Sequence, residues 1–328
     1  MRHPFGKTKN GQDVEALSIH AGDITVTILT LGAIVQDVHL KGVPHSLTLG
    51  SEDIAAYDGG DLTYFGALVG PVANRIANAR APLGGDVLSL VANEGTTCLH
   101  GGPDGMETEI WTVESLSENA VTLTLELADG KGGFPGNRHL RVRYSVDAPA
   151  HLRMNVEAKS DKDTLLNIAN HSYWNLDGRP TNTGHVLRVN ADRYLPVDAA
   201  SIPTGVADVA GVYDLREGRE FTAGTPVYDH SYCLNGAKGT LKHACTLTGQ
   251  SGLSMRMDTT EVGLQVFDAG HVSSGDFIGH EGHRYPAFAG IALEAQGWPD
   301  APNHADFPSI EVAAGETYRQ ETVWSFSR

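Results

Sequence analysis

The chain has 328 residues, of which 41% are hydrophobic, and a formal net charge of −16. This acidic balance argues against a nucleic-acid ligand, whose phosphates require lysine and arginine, and against binding to an anionic membrane surface. No segment is long and apolar enough to span a bilayer, and the first residues lack the apolar core of a secretory signal, so we expect neither.

Alternation of apolar and polar residues with a period of two dominates the chain. Val121, Leu123, Leu125 and Leu127, for example, alternate with threonines and a glutamate, which is typical of a strand with one buried face. In chain order, the pattern predicts strands within residues 24–40, 121–127, 140–146, 152–156, 185–190, 253–258, 262–267 and 318–326.

Helical periodicity is weak, and glycine-rich breaks separate the predicted strands. No low-complexity linker and no repeat of fixed period divides the chain. We therefore predict an all-β, mostly antiparallel fold of the large β-sandwich type, with residues 1–328 in a single domain.

The cysteines Cys98, Cys233 and Cys245 are few, odd in number and without CxxC spacing. This pattern predicts neither a disulfide framework nor a zinc site. Buried free thiols fit a reducing compartment, so we expect a cytoplasmic protein.

Fifteen histidines raise the question of a metal site. None shows the HExxH pattern or a cysteine–histidine zinc spacing. His280 and His283 lie three apart in a glycine-bearing loop, for which a solvated loop is the favoured interpretation. We therefore predict no metal ligands.

The segment of residues 170–176, NHSYWNL, is the most informative of the chain. It combines a histidine able to transfer a proton with amide, hydroxyl and aromatic groups. Flat apolar faces for a ring and hydrogen-bonding groups for hydroxyls suit a sugar pocket. Three further segments could carry chemistry: residues 70–77, residues 98–102 and residues 294–304. Two shorter and weaker ones are residues 228–230 and 264–267.

Taken in this order over most of the chain, these segments resemble the galactose mutarotase (aldose 1-epimerase) family. The family typically shows Ala-Asn-Arg-Ile, Leu-His-Gly-Gly, Asn-His-x-Tyr-Phe-Asn-Leu and Asp-His stretches, and a late Glu-x-Gln-x-x-Pro-Asp run. The matching residues here are 73–76, 99–102, 170–176, 229–230 and 294–300. The resemblance implies a large β-sandwich of the galactose mutarotase-like type.

Three departures from the family pattern stand near these segments. Pro71 replaces an arginine, Trp174 replaces the usual phenylalanine, and Gly297-Trp298 replaces a common Asn-Phe. None removes a presumed catalytic group. Because Trp174 and Trp298 lie close in sequence to His171 and Glu294, where a change could alter the pocket wall, the preferred sugar is left open.

The resemblance implies an isomerase that interconverts the α and β anomers of a free aldose. A base removes the proton of the C1 hydroxyl, and an acid protonates the ring oxygen as the C1–O5 bond breaks. The open-chain aldehyde rotates about C1–C2, and the ring closes on the other face. No redox step or group transfer occurs, so we expect no cofactor.

Correspondence with the family makes Glu294 the base and His171 the acid, with His100 as a second histidine that supports the ring oxygen. At neutral pH an ordinary glutamate is already ionised, and a nearby carboxylate would raise the pKa of the histidine above its free value.

The resemblance also implies a set of sugar-binding groups. Asn74 and Arg75 would bind sugar hydroxyls, with Arg75 also able to orient Glu294. Asp229 would accept hydroxyl hydrogen bonds, and Gln265 would steady the site. Tyr173 is a further predicted substrate-binding residue.

Two alternatives stay open on the sequence. A hexose-6-phosphate 1-epimerase would need a basic phosphate pocket, against which the acidic balance weighs. A non-catalytic carbohydrate-binding or regulatory protein could dispense with Glu294 or His171, yet both are present. The expected partner is a small aldose, either a hexose or a pentose. The oligomeric state, monomer or homodimer, is left open.

Overall fold

Two large sheets dominate the structure, a computed structural model that describes residues 1–224 and 226–328. All the strand pairings within the sheets are antiparallel among these residues, and they form an all-β fold, as predicted. The nine-stranded sheet has the spatial order Thr112–Leu116, Ala120–Leu127, Arg138–Asp147, His151–Ser160, Thr317–Ser327, Ser254–Thr259, Lys242–Thr248, Val186–Val189 and Arg219–Glu220.

The six-stranded sheet carries the residues that matter for function. Its spatial order is Tyr173–Trp174, Ile291–Gln296, Gly263–Phe267, Asp229–Leu234, Ala191–Leu195 and Ala207–Asp208. Its first two strands, Tyr173–Trp174 and Ile291–Gln296, pair although they are far apart in sequence, so the sheet brings the segments of His171 and Glu294 together along one edge.

The remaining elements are smaller. A four-stranded sheet is formed by Arg2–Lys7, Asp13–Ala21, Ile24–Leu29 and Val35–Leu40. Two-stranded pairs are Thr164–Leu165 with Glu311–Val312, Ala169–Asn170 with Leu68–Val69, Arg75–Ile76 with Cys98–Leu99, and Arg80–Leu83 with Asp86–Ser89. A short α-helix, Ile54–Tyr57, accompanies the 3₁₀ turns Ala77–Ala79, Met106–Thr108, Lys131–Gly133, Gly211–Tyr213, His280–Gly282 and Ala301–Asn303.

The predicted strands are confirmed with shifts of at most four residues at their ends, except that residues 24–40 form two strands rather than one extended run. The break falls at Gly32 and Ala33, whose φ angles of 60° and 47° are incompatible with a strand. Because neither residue is polar, the alternation of apolar and polar residues does not indicate a turn here. None of the helices among the described residues has the length and apolar character needed to cross a membrane.

The two large sheets share one apolar core. Leu264, Val266, Leu293 and Ala295 of the six-stranded sheet join it, together with side chains of the nine-stranded sheet such as Trp324. Because successive strand residues point to opposite faces, Gln265, Glu294 and Gln296 must lie on the other face. We call these two surfaces the inner face and the outer face of the six-stranded sheet.

On the outer face, a polar middle row lies between two rows that belong in part to apolar clusters. Strand register sets three adjacent rows across this face: Asp229–Phe267–Ala292, Ser231–Gln265–Glu294 and Cys233–Gly263–Gln296. Phe267 and Ala292 belong to one small apolar cluster, and Cys233 and Trp298 belong to another. The middle row is therefore a polar strip enclosed by two apolar clusters.

Candidate active site

Glu294 and His171 form the centre of the site. Glu294 lies in the strand Ile291–Gln296, and His171 lies between the short strands Ala169–Asn170 and Tyr173–Trp174. The backbone N–H of His171 donates to Ala67 and its carbonyl accepts from Gly66, which fixes the position of the ring. Its Nε2 lies 3.5 Å from Oε1 of Glu294, and both side chains are almost completely buried.

Burial sets the protonation of this pair. It raises the pKa of Glu294 to about 8, with a smaller upward contribution from Asp229 and an opposing one from Arg75. Burial also lowers the pKa of His171 to about 4. The expectation that the carboxylate raises the pKa of His171 is therefore wrong for the free site, because burial disfavours the charged form of both groups. Near neutral pH the pair is uncharged, with a proton on the Glu294 carboxyl and a neutral His171 ring.

His100 faces the same pair as a neutral donor. Its Nδ1 accepts a hydrogen bond of 3.1 Å from the backbone N–H of Asn74, so the ring proton resides on Nε2. Burial holds the pKa of His100 well below its usual range, and the nearby His171 and Arg75 lower it further. The rings of His100 and His171 meet edge to face, with centroids 5.2 Å apart.

Arg75 is held by two carboxylates. Its Nε and Nη2 donate to Glu94 at 2.6 and 3.0 Å, and its Nη1 donates to Asp229 at 3.4 Å. The other oxygen of Asp229 accepts from Gln265 at 2.6 Å. Among the described residues, the guanidinium makes no hydrogen bond to Glu294 and reaches it only through its charge.

These groups line a cavity of about 250 Å³. That is below the ~300–1,000 Å³ of pockets for drug-sized ligands, a size suited to one monosaccharide ring. The structure brings seven of the eight predicted site residues to its wall: Asn74, Arg75, His100, His171, Tyr173, Asp229 and Glu294. The eighth, Gln265, is not part of the lining and instead supports Asp229 from behind.

Asn74 has a different local role from the one predicted. Its backbone, at φ 62°, orients His100, and its side-chain Oδ1 accepts from the backbone N–H of Arg75 at 2.8 Å. A sugar ligand would have to use the remaining amide N–H₂ group.

Sequence reasoning missed the other lining residues: Tyr64, Glu94, Leu99, Phe267, His271 and Val272. The Tyr64 ring packs on both histidines, with centroids 4.9 Å from His100 and 6.0 Å from His171. Leu99 and Phe267 stand in segments already singled out, but their apolar side chains gave no sign of a binding role. Glu94 comes shortly before the segment of His100, yet neither its charge nor its position indicates Arg75 as its partner.

The departures from the family pattern lie outside this wall. Trp174 packs in the main core against Trp324, with ring centroids 6.0 Å apart. The indole N–H of Trp298 donates to the carbonyl of Val262, and neither Trp298 nor Pro71 lines the cavity. These changes therefore make no direct contact with the cavity.

Three ligand atoms, from His100, His171 and Glu294, lie within 4.8 Å of one another, a proximity that sequence spacing did not reveal. A metal would need a lone pair on Nε2 of His100, and therefore a proton on Nδ1. That proton would oppose the N–H of Asn74 that Nδ1 now accepts. The local hydrogen bonding thus favours a proton donor at this position over a metal ligand.

His280 does not fit the predicted solvated loop. Its Nε2 hydrogen-bonds the carbonyl of Gln36 at 2.9 Å, and only 10% of its side chain is exposed. The loop of His280 and His283 lies apart from the cavity that holds Glu294.

Comparison with known proteins adds an independent observation. The family model described as aldose 1-epimerase matches residues 15–325. A galactose mutarotase of Bos taurus is 35% identical over 326 residues, which cover 96% of this chain and 94% of that protein. An aldose 1-epimerase of Haemophilus influenzae is 36% identical over 274 residues, or 78% of this chain and 79% of that protein. The crystal structure of a galactose 1-epimerase from Lactobacillus acidophilus superimposes with a TM-score of 0.85 at 27% identity and covers 100% of this chain and 98% of that one.

Proposed function

The chain belongs to the aldose 1-epimerase family and interconverts the anomers of a sugar, and we propose that Glu294 and His171 carry the two proton transfers of this reaction. One observation supports the assignment above the others. A carboxyl oxygen and an imidazole nitrogen lie 3.5 Å apart at the wall of a cavity sized for one sugar ring. A base and an acid so placed can serve the C1 hydroxyl and the ring oxygen, which are bonded to the same carbon.

The two proton transfers leave the total number of protons on Glu294 and His171 unchanged. The Glu294 carboxylate takes the proton of the C1 hydroxyl while the His171 imidazolium gives its proton to O5, and the C1–O5 bond breaks. After rotation about C1–C2, Glu294 returns a proton to the C1 oxygen and His171 takes one from the O5 hydroxyl. Positioned transfers of this kind contribute about 10²–10⁴-fold to the rate.

The protonation of the free site corresponds to the open-chain stage of this cycle. With its proton on Glu294 and a neutral His171, the site holds the same number of protons as the ion pair that attacks the cyclic sugar. We therefore still expect a bell-shaped pH dependence of kcat/KM, but with the opposite assignment of its two limbs. The alkaline limb, near pH 8, reports the loss of the Glu294 proton, and the acidic limb, near pH 4, reports the protonation of His171.

The other groups bind and orient the sugar. His100 donates from Nε2 to the ring oxygen or a neighbouring hydroxyl, and Asp229 accepts hydrogen bonds from sugar hydroxyls. Arg75 and Asn74 contribute their remaining N–H groups, and Tyr173 packs against a face of the ring. Apolar contact from Phe267 and Val272 completes the wall.

The cavity suits an uncharged sugar better than a sugar phosphate. Among the described residues that line it, Arg75 is the one arginine or lysine, and Glu94 and Asp229 already bind it. A phosphate would have to compete with both carboxylates. We therefore propose free hexoses and pentoses as substrates; the cytoplasmic location and the choice between monomer and homodimer stay predictions.

Anomer-exchange NMR with glucose, galactose, xylose and arabinose tests the proposal. We expect exchange well above the spontaneous rate for at least one of them, and a loss of about 10²–10⁴-fold in kcat for Glu294→Gln. A wild-type kcat in Glu294→Gln would remove the assigned base. Sugar binding without exchange by the wild type would favour the regulatory alternative.

A further inference from the structure

The outer face of the six-stranded sheet leaves an unusual number of polar atoms without partners. Oγ of Ser231, Oε1 of Gln265, Oε2 of Glu294 and both amide atoms of Gln296 have no hydrogen-bond partner within the described part of the protein. Each of these residues is at most 3% exposed. Because buried polar groups are nearly always paired with protein or ordered water, the cluster requires an explanation.

Strand register places these atoms together. Gln265 lies directly opposite Ser231 on one neighbouring strand and directly opposite Glu294 on the other. Gln296 is two residues beyond Glu294 on the same face, and its own cross-strand neighbour is Gly263. Directly opposed residues have Cβ atoms about 4.5–5.5 Å apart and diagonal neighbours are about 7–8 Å apart, so all four side chains share one patch beneath the cavity.

Gly263 and Trp298 define the far edge of this patch. A Cβ on Gly263 would lie 3.3 Å from Oγ of Ser231 and 3.1 Å from Cδ1 of Trp298. The missing side chain therefore leaves the Ser231 hydroxyl accessible from the Gln296 side of the strand. Trp298 is held at this edge by the hydrogen bond that its indole N–H donates to the carbonyl of Val262.

The chemistry of the patch is complementary to one water molecule. Gln296 Nε2 and the Ser231 hydroxyl are donors, whereas Gln265 Oε1 and Glu294 Oε2 are acceptors. A water accepts two hydrogen bonds and donates two, and buried waters usually make about three. We propose that Gln296 is a positioning residue for Glu294, and that with Ser231 it holds an ordered water that donates to Oε2 of the catalytic carboxylate.

This inference rests on the proposed role of Glu294 as the base. Oε1 of Glu294 faces His171, so the water fixes the opposite oxygen and leaves Oε1 for the proton. A hydrogen bond donated to a carboxylate stabilises its charged form. Gln296 thereby favours the ion-pair form of the site that attacks the cyclic sugar.

The experiment compares Gln296→Leu with Gln320→Leu. Gln320 is a buried glutamine that also contacts the strand Ile291–Gln296, since its Nε2 donates to the carbonyl of Ala295 from the inner face. Both variants lose a buried amide, and we expect both to lower the melting temperature. Only Gln296→Leu should reduce kcat, by about tenfold, with KM within about twofold, because it removes a hydrogen bond to a charged group.

The pH profile separates positioning from packing. Loss of the donor favours protonated Glu294, so the alkaline limb of kcat/KM should move to higher pH in Gln296→Leu and stay in place in Gln320→Leu. Ser231→Ala should move the same limb less, and the double variant Gln296→Leu/Ser231→Ala should lose little beyond Gln296→Leu, since both act through one water.

An unchanged kcat and alkaline limb in Gln296→Leu would overturn the proposal and leave Gln296 a packing residue. Should Gln296→Leu not fold, an unmoved limb in Ser231→Ala would overturn it equally. Failure of the base assignment is seen separately, in Glu294→Gln, which leaves Gln296 and Ser231 in place.

Discussion

The two faces of the six-stranded sheet are built from the same strands and differ in almost every physical respect. On the inner face, Leu264, Val266 and Leu293 pack in the main core and have no polar groups to satisfy. On the outer face, Glu294 and Gln296 are equally buried, yet keep polar atoms that have no partner in the part of the chain that the structure describes. The inner face stabilises the fold, whereas the outer face holds Glu294 and the polar groups around it at the base of the cavity.

Truncation of a core side chain on the inner face should lower the free energy of unfolding but leave kcat nearly unchanged. Leu264 is fully buried, and Leu264→Ala should cost about 2–5 kcal/mol of the free energy of unfolding through lost burial and a residual cavity. Urea denaturation followed by circular dichroism measures this loss. At a temperature where the variant is folded, kcat should stay within a few-fold of the wild type.

The matched outer-face change, Glu294→Gln, should lower kcat without lowering stability. Because burial raises the pKa of Glu294 to about 8, the folded state resists ionisation, and its stability falls as pH rises from the ordinary glutamate pKa through about 8. The amide carries no such charge, so the variant should be at least as stable as the wild type at pH 8. A Leu264→Ala protein as inactive as Glu294→Gln would remove the contrast between the faces.

A smaller effect is expected at the rim of the cavity. Glu94 binds Arg75 through two hydrogen bonds, but 42% of its side chain is exposed, and exposed ion pairs are worth about 0.2–1 kcal/mol. Glu94→Gln should therefore raise KM by about two- to fivefold with little change in kcat, because Arg75 loses orientation while the proton-transfer pair is untouched.

Glu114→Gln provides the control for this prediction. Glu114 forms a similarly exposed pair with Arg141 on the nine-stranded sheet, away from the lining of the cavity. Initial-rate kinetics on one aldose should show no change in KM for this variant. An equal rise in both variants would assign the effect to net charge rather than to Arg75.

Much of the site could be predicted from the sequence, because the groups that do the chemistry stand in short, distinctive segments. His171, Glu294 and His100 each belong to such a segment. Tyr64 and Glu94 do not, since they reach the cavity from loops whose course depends on the whole fold. Strand geometry also distinguishes Tyr173 from Trp174: in a strand their side chains point to opposite faces, so only one of them can meet the sugar.

The protonation of the site could not be predicted from residue types. An exposed Glu–His pair forms an ion pair near neutral pH, because each group keeps a pKa near ~4.3 and ~6.5. Burial of both groups reverses the order of the two pKa values. The sequence identifies the partners, but their solvent exposure depends on how the sheet and its two outer clusters close around them.

The ionisation state of His171 in the free enzyme tests this view most directly. Protein labelled with ¹³C at the histidine Cε1 can be titrated by NMR, and the His171 signal is assigned by its absence from His171→Asn. We predict a neutral ring throughout pH 6–8 that becomes charged only on acidification toward pH 4. A His171 signal that titrates above pH 6.5, as an imidazolium stabilised by an ionised Glu294 would, contradicts the assignment of the shared proton to the carboxyl group.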